Sequence, residues 1–355
     1  MAKTFIEVEM LPAGHGDALL VTYGDVDAPA RMLIDGGPYY AYERIMRRLL
    51  QIPKADRHFE LLVITHIDAD HVDGVIRLLR EDLNKLGFVF DDIWFNGTDQ
   101  LDAIASADDA LGAKQGEYLQ ALLKSKGLPW NVVFDGGPVL ARPKKPVRLA
   151  SGAKVRVLSP TKQRLTELLL DWTKVIESEG YRTGDTTEAL ARLATDRRLN
   201  ALADELDHLG SDDHRVDATP DKSLANGSSI AFVLEVGSRR VLLAGDAHAD
   251  VLTASIDGYI TAPKKLTLQA FKLPHHGSLA NLNTDLLDRL DCRNFLVSTN
   301  GSYFGHPDKM CIEMIVDNAD DAHLWFNYAT EFNGMWIDDR DEPYTAHYPM
   351  GITLR

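Results

Sequence analysis

Within Thr65-His-Ile-Asp-Ala-Asp-His-Val-Asp-Gly74 stand His66, Asp68, Asp70 and His71, two imidazoles and two carboxylates inside six positions. Both groups are suitable ligands for divalent first-row metals. The segment follows the apolar run Leu61-Leu-Val-Ile-Thr65, which reads as a buried strand. It precedes Val72, Val75, Ile76, Leu79 and Leu83 at helical spacing, so a helix is expected from about residue 70. Four metal-competent side chains therefore share the turn between a strand end and a helix N-terminus. Capping of that helix accounts for one Asp. It does not account for two His and two Asp in alternation.

Further segments carry residues of the same kinds: Gly14-His-Gly-Asp-Ala-Leu-Leu-Val21, Leu33-Ile-Asp-Gly-Gly37, Asn226-Gly-Ser-Ser-Ile230 running into Leu242-Leu-Ala-Gly-Asp246, Leu273-Pro-His-His-Gly-Ser278, and Val297-Ser-Thr-Asn-Gly-Ser-Tyr-Phe-Gly-His-Pro307. With the His-x-Asp-x-Asp-His-x-x-Gly pattern they resemble, in order, the signature of metallo-β-lactamase-fold hydrolases. The Asp68 form is similar to the nuclease-like domain of the DNA-uptake protein ComEC and its soluble relatives. The resemblance is local and leaves roughly residues 97–222 and the tail after 308 uncovered.

The resemblance implies an α/β fold, a four-layer αβ/βα sandwich with metals at one edge between the sheets. It assigns His66 and Asp68 to one metal ion, Asp70 and His71 to a second, Asp246 to a bridging position and His306 to the last metal-binding His. The implied cofactors are two divalent ions, Zn or Mn. Such ions lower the pKa of bound water to about 7 and, about 3.5–4 Å apart, stabilise attacking and leaving oxygens. The implied reaction is hydrolysis of a phosphodiester by hydroxide generated at the metal, with Asp70 in the catalytic set.

His275 and His276 follow a strand end and precede a Gly-Ser turn, so one of them is expected near the metals or the scissile phosphate. It could contact a phosphate oxygen or protonate the leaving group. Adjacent side chains usually point apart, so the same role for both is not expected. Two departures from the wider pattern matter: Asp68 stands where a second His is usual, and the His before the Asp246 strand is missing, leaving Asn226 as a weak candidate ligand. Asp35 reads as support for the metal ligands, Asp17 as support or a turn residue, and Ser278 as a support or substrate-contact candidate. His248, two residues beyond Asp246, is the one remaining His worth following.

Composition sets the bounds. Of 355 residues, 45% are hydrophobic and 26% charged, ordinary for a globular chain. No apolar run approaches the ~18 residues of a membrane span, and no signal-peptide core opens the sequence, so no membrane association is expected. Cys292 and Cys311 are the two cysteines, too few for a disulfide framework. A cytoplasmic protein is the default expectation. The net charge of −15 opposes long polyanions, because nonspecific nucleic-acid affinity comes from Lys and Arg on phosphates. Short or single-stranded substrates fit that balance better than long duplexes.

The elements that position these residues alternate short strands with helices. Strands are expected at Thr4–Met10, Ala18–Tyr23, Met32–Asp35, Leu61–Thr65, Ile93–Asn96 and Lys154–Leu158. A second set lies at Ile230–Val236, Arg240–Ala244, Ala270–Leu273, Phe295–Ser298 and Leu324–Tyr328. Helices are expected at Tyr42–Gln51, Asp285–Leu290 and Lys309–Asp317. Two strand sets with helices between them fit a sandwich with helices outside. The chain reads as one domain over 1–355 with a helical insert over 161–223. Leu165, Leu168, Leu169 and Trp172, then Leu190, Leu193, Leu199, Leu202 and Leu206, mark two or three amphipathic helices there. Asp99–Gly127 is a second helical stretch. The 161–223 insert is expected beside the active site, narrowing access or docking a protein partner.

A metal-dependent phosphodiesterase is the leading expectation. The alternatives are a hydrolase of small carbonyl esters or thioesters and a noncatalytic partner-binding module, since fold alone does not choose among them. One outcome is specific to the sequence. Replacing Asp68 by His exchanges a hard oxygen ligand for a softer nitrogen and should shift activation toward Zn²⁺. Activity titrated with Mn²⁺, Mg²⁺ and Zn²⁺ measures this, and an unchanged profile removes Asp68 from control of metal choice.

Overall fold

A computed structural model describes residues 3–102, 113–200, 219–337, 344–348 and 351–355. Its inner strands are apolar on both faces. Leu20, Leu33, Leu62 and Ile64 face one buried cluster, while Leu19, Val21, Met32, Ile34, Leu61 and Val63 face another. The period-two alternation of side chains sends successive residues to opposite faces. A sheet of such strands needs cover on both sides, the condition met by parallel sheets under helices.

The first sheet has six strands. Thr4–Met10 pairs antiparallel with Gly351–Leu354 and with Leu19–Asp25, which pairs antiparallel with Ala28–Ile34. Leu61–Val63 and Ile93–Trp94 then continue the sheet in parallel. The second sheet has eight strands and the same division. Val147–Arg148, Lys154–Ser159, Ala231–Val236 and Arg239–Leu243 are antiparallel, and Ala270–Lys272, Asn294–Val297, Ala322–Phe326 and Tyr344–His347 extend it in parallel.

Between the sheets lies a cluster that mixes Ile6, Val8 and Val21 with Val155, Phe232 and Val241. Outside the first sheet pack the helices Tyr42–Leu49, Ala69–Arg80, Ala113–Ser125, Lys162–Ser178 and Thr186–Thr195, and outside the second Ala249–Asp257 and Lys309–Asn318. The architecture is thus a layered α/β sandwich, helix–sheet–sheet–helix. Among the described residues no helix is long and apolar enough to cross a membrane.

Both parallel halves deliver the carboxyl ends of their strands to a common edge. There the Ile230 amide donates to the Thr65 carbonyl (2.9 Å) and the Asn300 amide to that of Gly14 (2.8 Å), joining the two sheets. Crevices at such strand ends are where α/β sheets place ligands.

Element boundaries differ from expectation in two instructive places. The strand from Leu61 ends at Val63, because the Thr65 amide turns to donate to Asp35 Oδ1 (2.8 Å) instead of continuing the ladder. The helix expected at Asp285–Leu290 is one turn, Thr284–Leu287, after which Leu290–Asp291 pairs in parallel with Leu266–Thr267.

The two helical stretches form one layer. Trp172 is fully buried against Gly116, where an added Cβ would lie 2.0 Å from the indole, and its Nε1 donates to Glu117 Oε1 at 2.9 Å. The other Glu117 oxygen accepts from the Gly184 amide at 2.9 Å, so one buried carboxylate ties three segments. A short helix, Arg197–Asn200, returns Arg198 to the fully buried Asp73 on helix Ala69–Arg80 in a two-pronged pair. Arg198 also lies over the Tyr39 ring at 5.6 Å. Leu202, Leu206 and the polar connector 211–217, like residues 103–112 of the earlier stretch, lie outside the described residues.

The packing of Trp172 generates a prediction. Trp172→Ala removes the largest side chain joining this layer and leaves Glu117 without one donor, so stability should fall by about 3–5 kcal/mol. Urea unfolding measures the loss, and a change below about 1 kcal/mol would mean that the layer does not fold with the sheets.

Candidate metal centre

Three loops must approach closely to build the centre. An added Cβ at Gly74 would lie 1.9 Å from the Gly36 carbonyl oxygen, and one at Gly16 would lie 1.9 Å from that of Asp70. These two positions therefore require glycine, because the backbones of residues 14–17, 35–37 and the first turn of helix Ala69–Arg80 are in contact. Hydrogen bonds hold them there: the Asp17 amide to the Asp70 carbonyl (3.2 Å), the Gly36 amide to that of His71 (2.8 Å) and the Gly74 amide to that of Gly37 (2.9 Å).

Asp35, held at a left-handed φ of 58°, is fully buried at the strand end and accepts three hydrogen bonds. Its Oδ1 takes the Thr65 amide at 2.8 Å, and its Oδ2 takes the Thr65 hydroxyl at 2.7 Å and His71 Nδ1 at 2.9 Å. With its proton committed to Asp35, the Thr65 hydroxyl oxygen accepts from His66 Nδ1 at 3.0 Å. His276 Nδ1 donates to the Ser298 carbonyl at 3.0 Å. All three rings thus carry a hydrogen on Nδ1 and turn Nε2 inward, the nitrogen that offers its lone pair to a metal once any proton on it has left.

The inward atoms meet carboxylates. His66 Nε2 lies 3.5 Å from Asp68 Oδ2 and 3.9 Å from Asp246 Oδ2. His71 Nε2 lies 3.3 Å from Asp246 Oδ2 and 3.8 Å from Asp70 Oδ2, and His276 Nε2 lies 3.3 Å from Asp70 Oδ2 and 3.8 Å from Asp246 Oδ2. The buried Nε2 atoms of His66, His71 and His276 and the Oδ1 of Asp246 have no hydrogen-bond partner among the described residues. Buried polar atoms left in this way are rare unless something else satisfies them. Three inward Nε2 atoms beside three carboxylates fit a divalent cation, which would take the place of any protons there. Two groups of ligand atoms could hold one, His66–His71–Asp246 and Asp70–His71–His276. Asp68 caps the helix without a capping hydrogen bond, so its carboxylate is left to face His66.

Protonation follows the same charges. Burial alone would lower the His71 pKa, but Asp246, Asp70 and Asp35 outweigh it and hold it well above the ordinary value. Burial also opposes protonation of His276, and Asp246 and Asp17 still lift it to about 9. Burial would raise Asp70 and Asp246, yet His71 beside both keeps each well below the usual carboxylate range.

His275 and His276 both adopt left-handed backbone, φ 45° and 56°, in the turn Pro274–Gly277. This turns both rings toward Asp246 instead of pointing them apart, with centroids 5.8 Å apart. Their partners differ. His275 Nδ1 donates to Asn281 Oδ1 at 2.8 Å, Asn281 in turn donates to Asp221 at 2.8 Å, and His275 Nε2 lies 3.9 Å from Asp246. His306 belongs to neither candidate group. Its Nδ1 faces Asp308 Oδ1 at 3.4 Å, and its ring lies 5.3 Å from that of His275. His276 stands beside Asp70 and His71.

The supporting candidates divide likewise. Asp17 accepts from Lys272 Nζ at 2.6 Å, and its Oδ1 lies 3.6 Å from His276 Nδ1. Asn226 donates to Asp221 Oδ2 at 2.7 Å, while its Oδ1 is buried without a partner among the described residues. Ser278 is a local cap, its Oγ accepting from the Ala280 amide at 3.3 Å. Two residues escaped the sequence reading. Lys272, fully buried, lies in a strand expected without a role for its charge, which stands close in sequence to a His pair. Asp221 hides in a polar connector. It accepts from Asn226 and Asn281 and lies 3.6 Å from His248 Nε2.

Because His71 and His276 hold protons in the metal-stripped protein, a cation must displace them, and affinity should rise with pH up to about 9, the value for His276. Calorimetry at pH 7 in two buffers of different ionisation enthalpy should register proton release on Zn²⁺ or Mn²⁺ uptake. Identical heats in both buffers would contradict this charge state.

No protein-family model matches the chain, and no curated protein matches it. Among solved structures it is similar to the metallo-beta-lactamase fold protein YhfI from Bacillus subtilis, at 10% identity and TM-score 0.43 over 99% of both chains. It is similar to Zn²⁺-bound PqqB from Methylobacterium extorquens at 12% identity and TM-score 0.43, over 98% of this chain and 99% of that one. A third similar structure is CmlA, a diiron β-hydroxylase from Streptomyces venezuelae, at 14% identity and TM-score 0.38, over 100% of this chain and 54% of that one. These likenesses are faint, and the reading of the site rests on its own side chains.

Proposed function

We propose that the chain is a metal-dependent hydrolase, specifically a phosphodiesterase acting on nucleic acid or a nucleotide-like diester. The observation that carries the metal dependence is the set of buried Nε2 atoms on His66, His71 and His276, each without a hydrogen-bond partner among the described residues and each beside a carboxylate. His66, Asp68, Asp70, His71, Asp246 and His276 would hold up to two divalent ions, Zn²⁺ or Mn²⁺. When bound, such ions supply a lowered pKa for water and an electrostatic clamp on phosphate oxygens.

The chain's own groups do the remaining work. Asp35 and Thr65 fix the rings of His71 and His66, so the ligand set is preorganised before any cation enters. Asp17, itself held by Lys272, flanks His276. His275, with its Nδ1 hydrogen taken by Asn281 and a side chain 20% exposed, turns Nε2 toward Asp246. There it can deliver a proton to the oxygen that leaves phosphorus. The resemblance of Pro274-His-His-Gly-Ser278 and of the Asp68 pattern to nuclease-like domains favours a diester over a carbonyl substrate.

A substrate panel tests this: bis(p-nitrophenyl) phosphate, labelled single strands, p-nitrophenyl acetate and a thioester, each with Mn²⁺, Mg²⁺ or Zn²⁺. Diester cleavage that chelation abolishes and added metal restores is expected. The Asp70→Ala/His71→Ala double variant should lose it entirely. His275→Ala should lower turnover by roughly 10²–10⁴-fold, the usual weight of acid–base catalysis, with metal retained. Cleavage of the carbonyl ester or thioester with diesters untouched would overturn the reading, and so would an active double variant.

A further inference from the structure

Most large apolar side chains of the described residues are buried, but Tyr303 and Phe304, consecutive in the sequence, are 41% and 42% exposed. They sit at the mouth of the metal centre. The Phe304 ring lies 6.1 Å from that of His275 and stacks on His306 at 5.9 Å and 24°. Tyr303 stacks on His15 at 4.9 Å and 24°, and the two exposed rings meet edge to face at 4.5 Å.

The platform is built, not draped. Its loop is tied to the first sheet by the Asn300 amide on the Gly14 carbonyl and closed on itself by the Gly305 amide on that of Gly301 (2.9 Å). The Thr330 hydroxyl holds the Asn300 carbonyl at 2.9 Å. His15 is fixed from the other side by the Tyr40 hydroxyl, 2.6 Å from its Nδ1. Rings ordered in this way lose little entropy on binding a flat partner.

We propose that Tyr303 and Phe304 form a stacking subsite for the base of a nucleotide whose phosphate lies at the metal centre, an inference that rests on the phosphodiesterase reading above. A base joined to the scissile phosphate through one sugar matches the short reach from His275 to Phe304. Aromatic rings take any base, because every base offers a π-face. The charge balance points the same way. At a net charge of −15 the chain has little long-range attraction for a polyanion, so affinity for a nucleotide must come from short-range contacts of this kind.

The test is equilibrium binding of a phosphorothioate dinucleotide of thymidine, and of its abasic counterpart, to the metal-loaded protein, read by calorimetry. The wild type should bind the base-bearing ligand roughly tenfold or more tightly than the abasic one, the usual scale of base–aromatic stacking. Tyr303→Ala and Phe304→Ala should each erode that preference, and Tyr303→Trp and Phe304→Trp should keep it. Tyr303→Leu and Phe304→Leu retain bulk without a π-face and should behave as the alanine variants do. Unchanged metal content and melting temperature rule out misfolding as the cause. Equal affinity for the two ligands in the wild type, no binding of either, or an intact preference in the doubly substituted protein would overturn the subsite. A protein that cleaves no diester yet shows a preference lost in the leucine variants would overturn the phosphodiesterase reading and uphold the subsite.

Discussion

A neutral imidazole has one lone pair, and the partner of one ring nitrogen decides that the other presents it. In this fold a single buried carboxylate makes that decision for two rings. Asp35 takes the Nδ1 hydrogen of His71 directly and that of His66 through the Thr65 hydroxyl. It reaches both from a left-handed backbone at the end of Ala28–Ile34, beside the parallel strand Leu61–Val63. The pairing of those strands, the tight glycine contacts around them and the orientation of the donor atoms are therefore one arrangement. Shift the register by one residue and Asp35 would face the wrong side of the sheet.

The second constraint is charge. The buried Asp246 and the half-buried Asp70 lie close to one another's imidazole partners, and burial of unpaired carboxylates is costly. The centre tolerates them because positive charge is near: the raised proton affinity of His71 and His276, the cation that would replace those protons, and Lys272 paired with Asp17. Lys272 differs from the rings in that no ligand displaces it. It is paired with Asp17 behind the centre, away from the nitrogens that a cation would use. In a deep site, where screening by solvent is weak, that distinction matters more than at a surface.

The strand–turn–helix from Leu61 to Arg80 is legible in the sequence because local patterns specify it: an apolar run, a polar turn, then helical spacing. The layered sandwich is legible for the same reason, strand by strand. What escapes is whatever depends on contacts between distant segments. Lys272 and Asp17 are 255 positions apart and Asp221 and Asn281 are 60 apart, so no local signal links either pair. The approach of both His275 and His276 to Asp246 has a different origin. Spacing suggests that adjacent side chains diverge, and two successive left-handed residues cancel that rule. The helix at 285–290 shortens because Leu290 is recruited to a two-strand ladder with Leu266, a tertiary preference that outweighs helical spacing.

The ion pair between Arg198 and Asp73 gives the helical layer a bearing on the centre that its position alone would not. Asp73 is buried two residues after His71, and burial pushes its carboxyl up to about 7 even with the guanidinium in place. Trimming the chain back to the two sheets and their nearest helices would leave that acid beneath the centre with its counterion gone. The outer layer is thus part of the electrical ground of the inner one. A homologue that dispensed with residues 197–200 would have to change residue 73 as well, and that paired change is a mark by which the coupling can be followed from one sequence to the next.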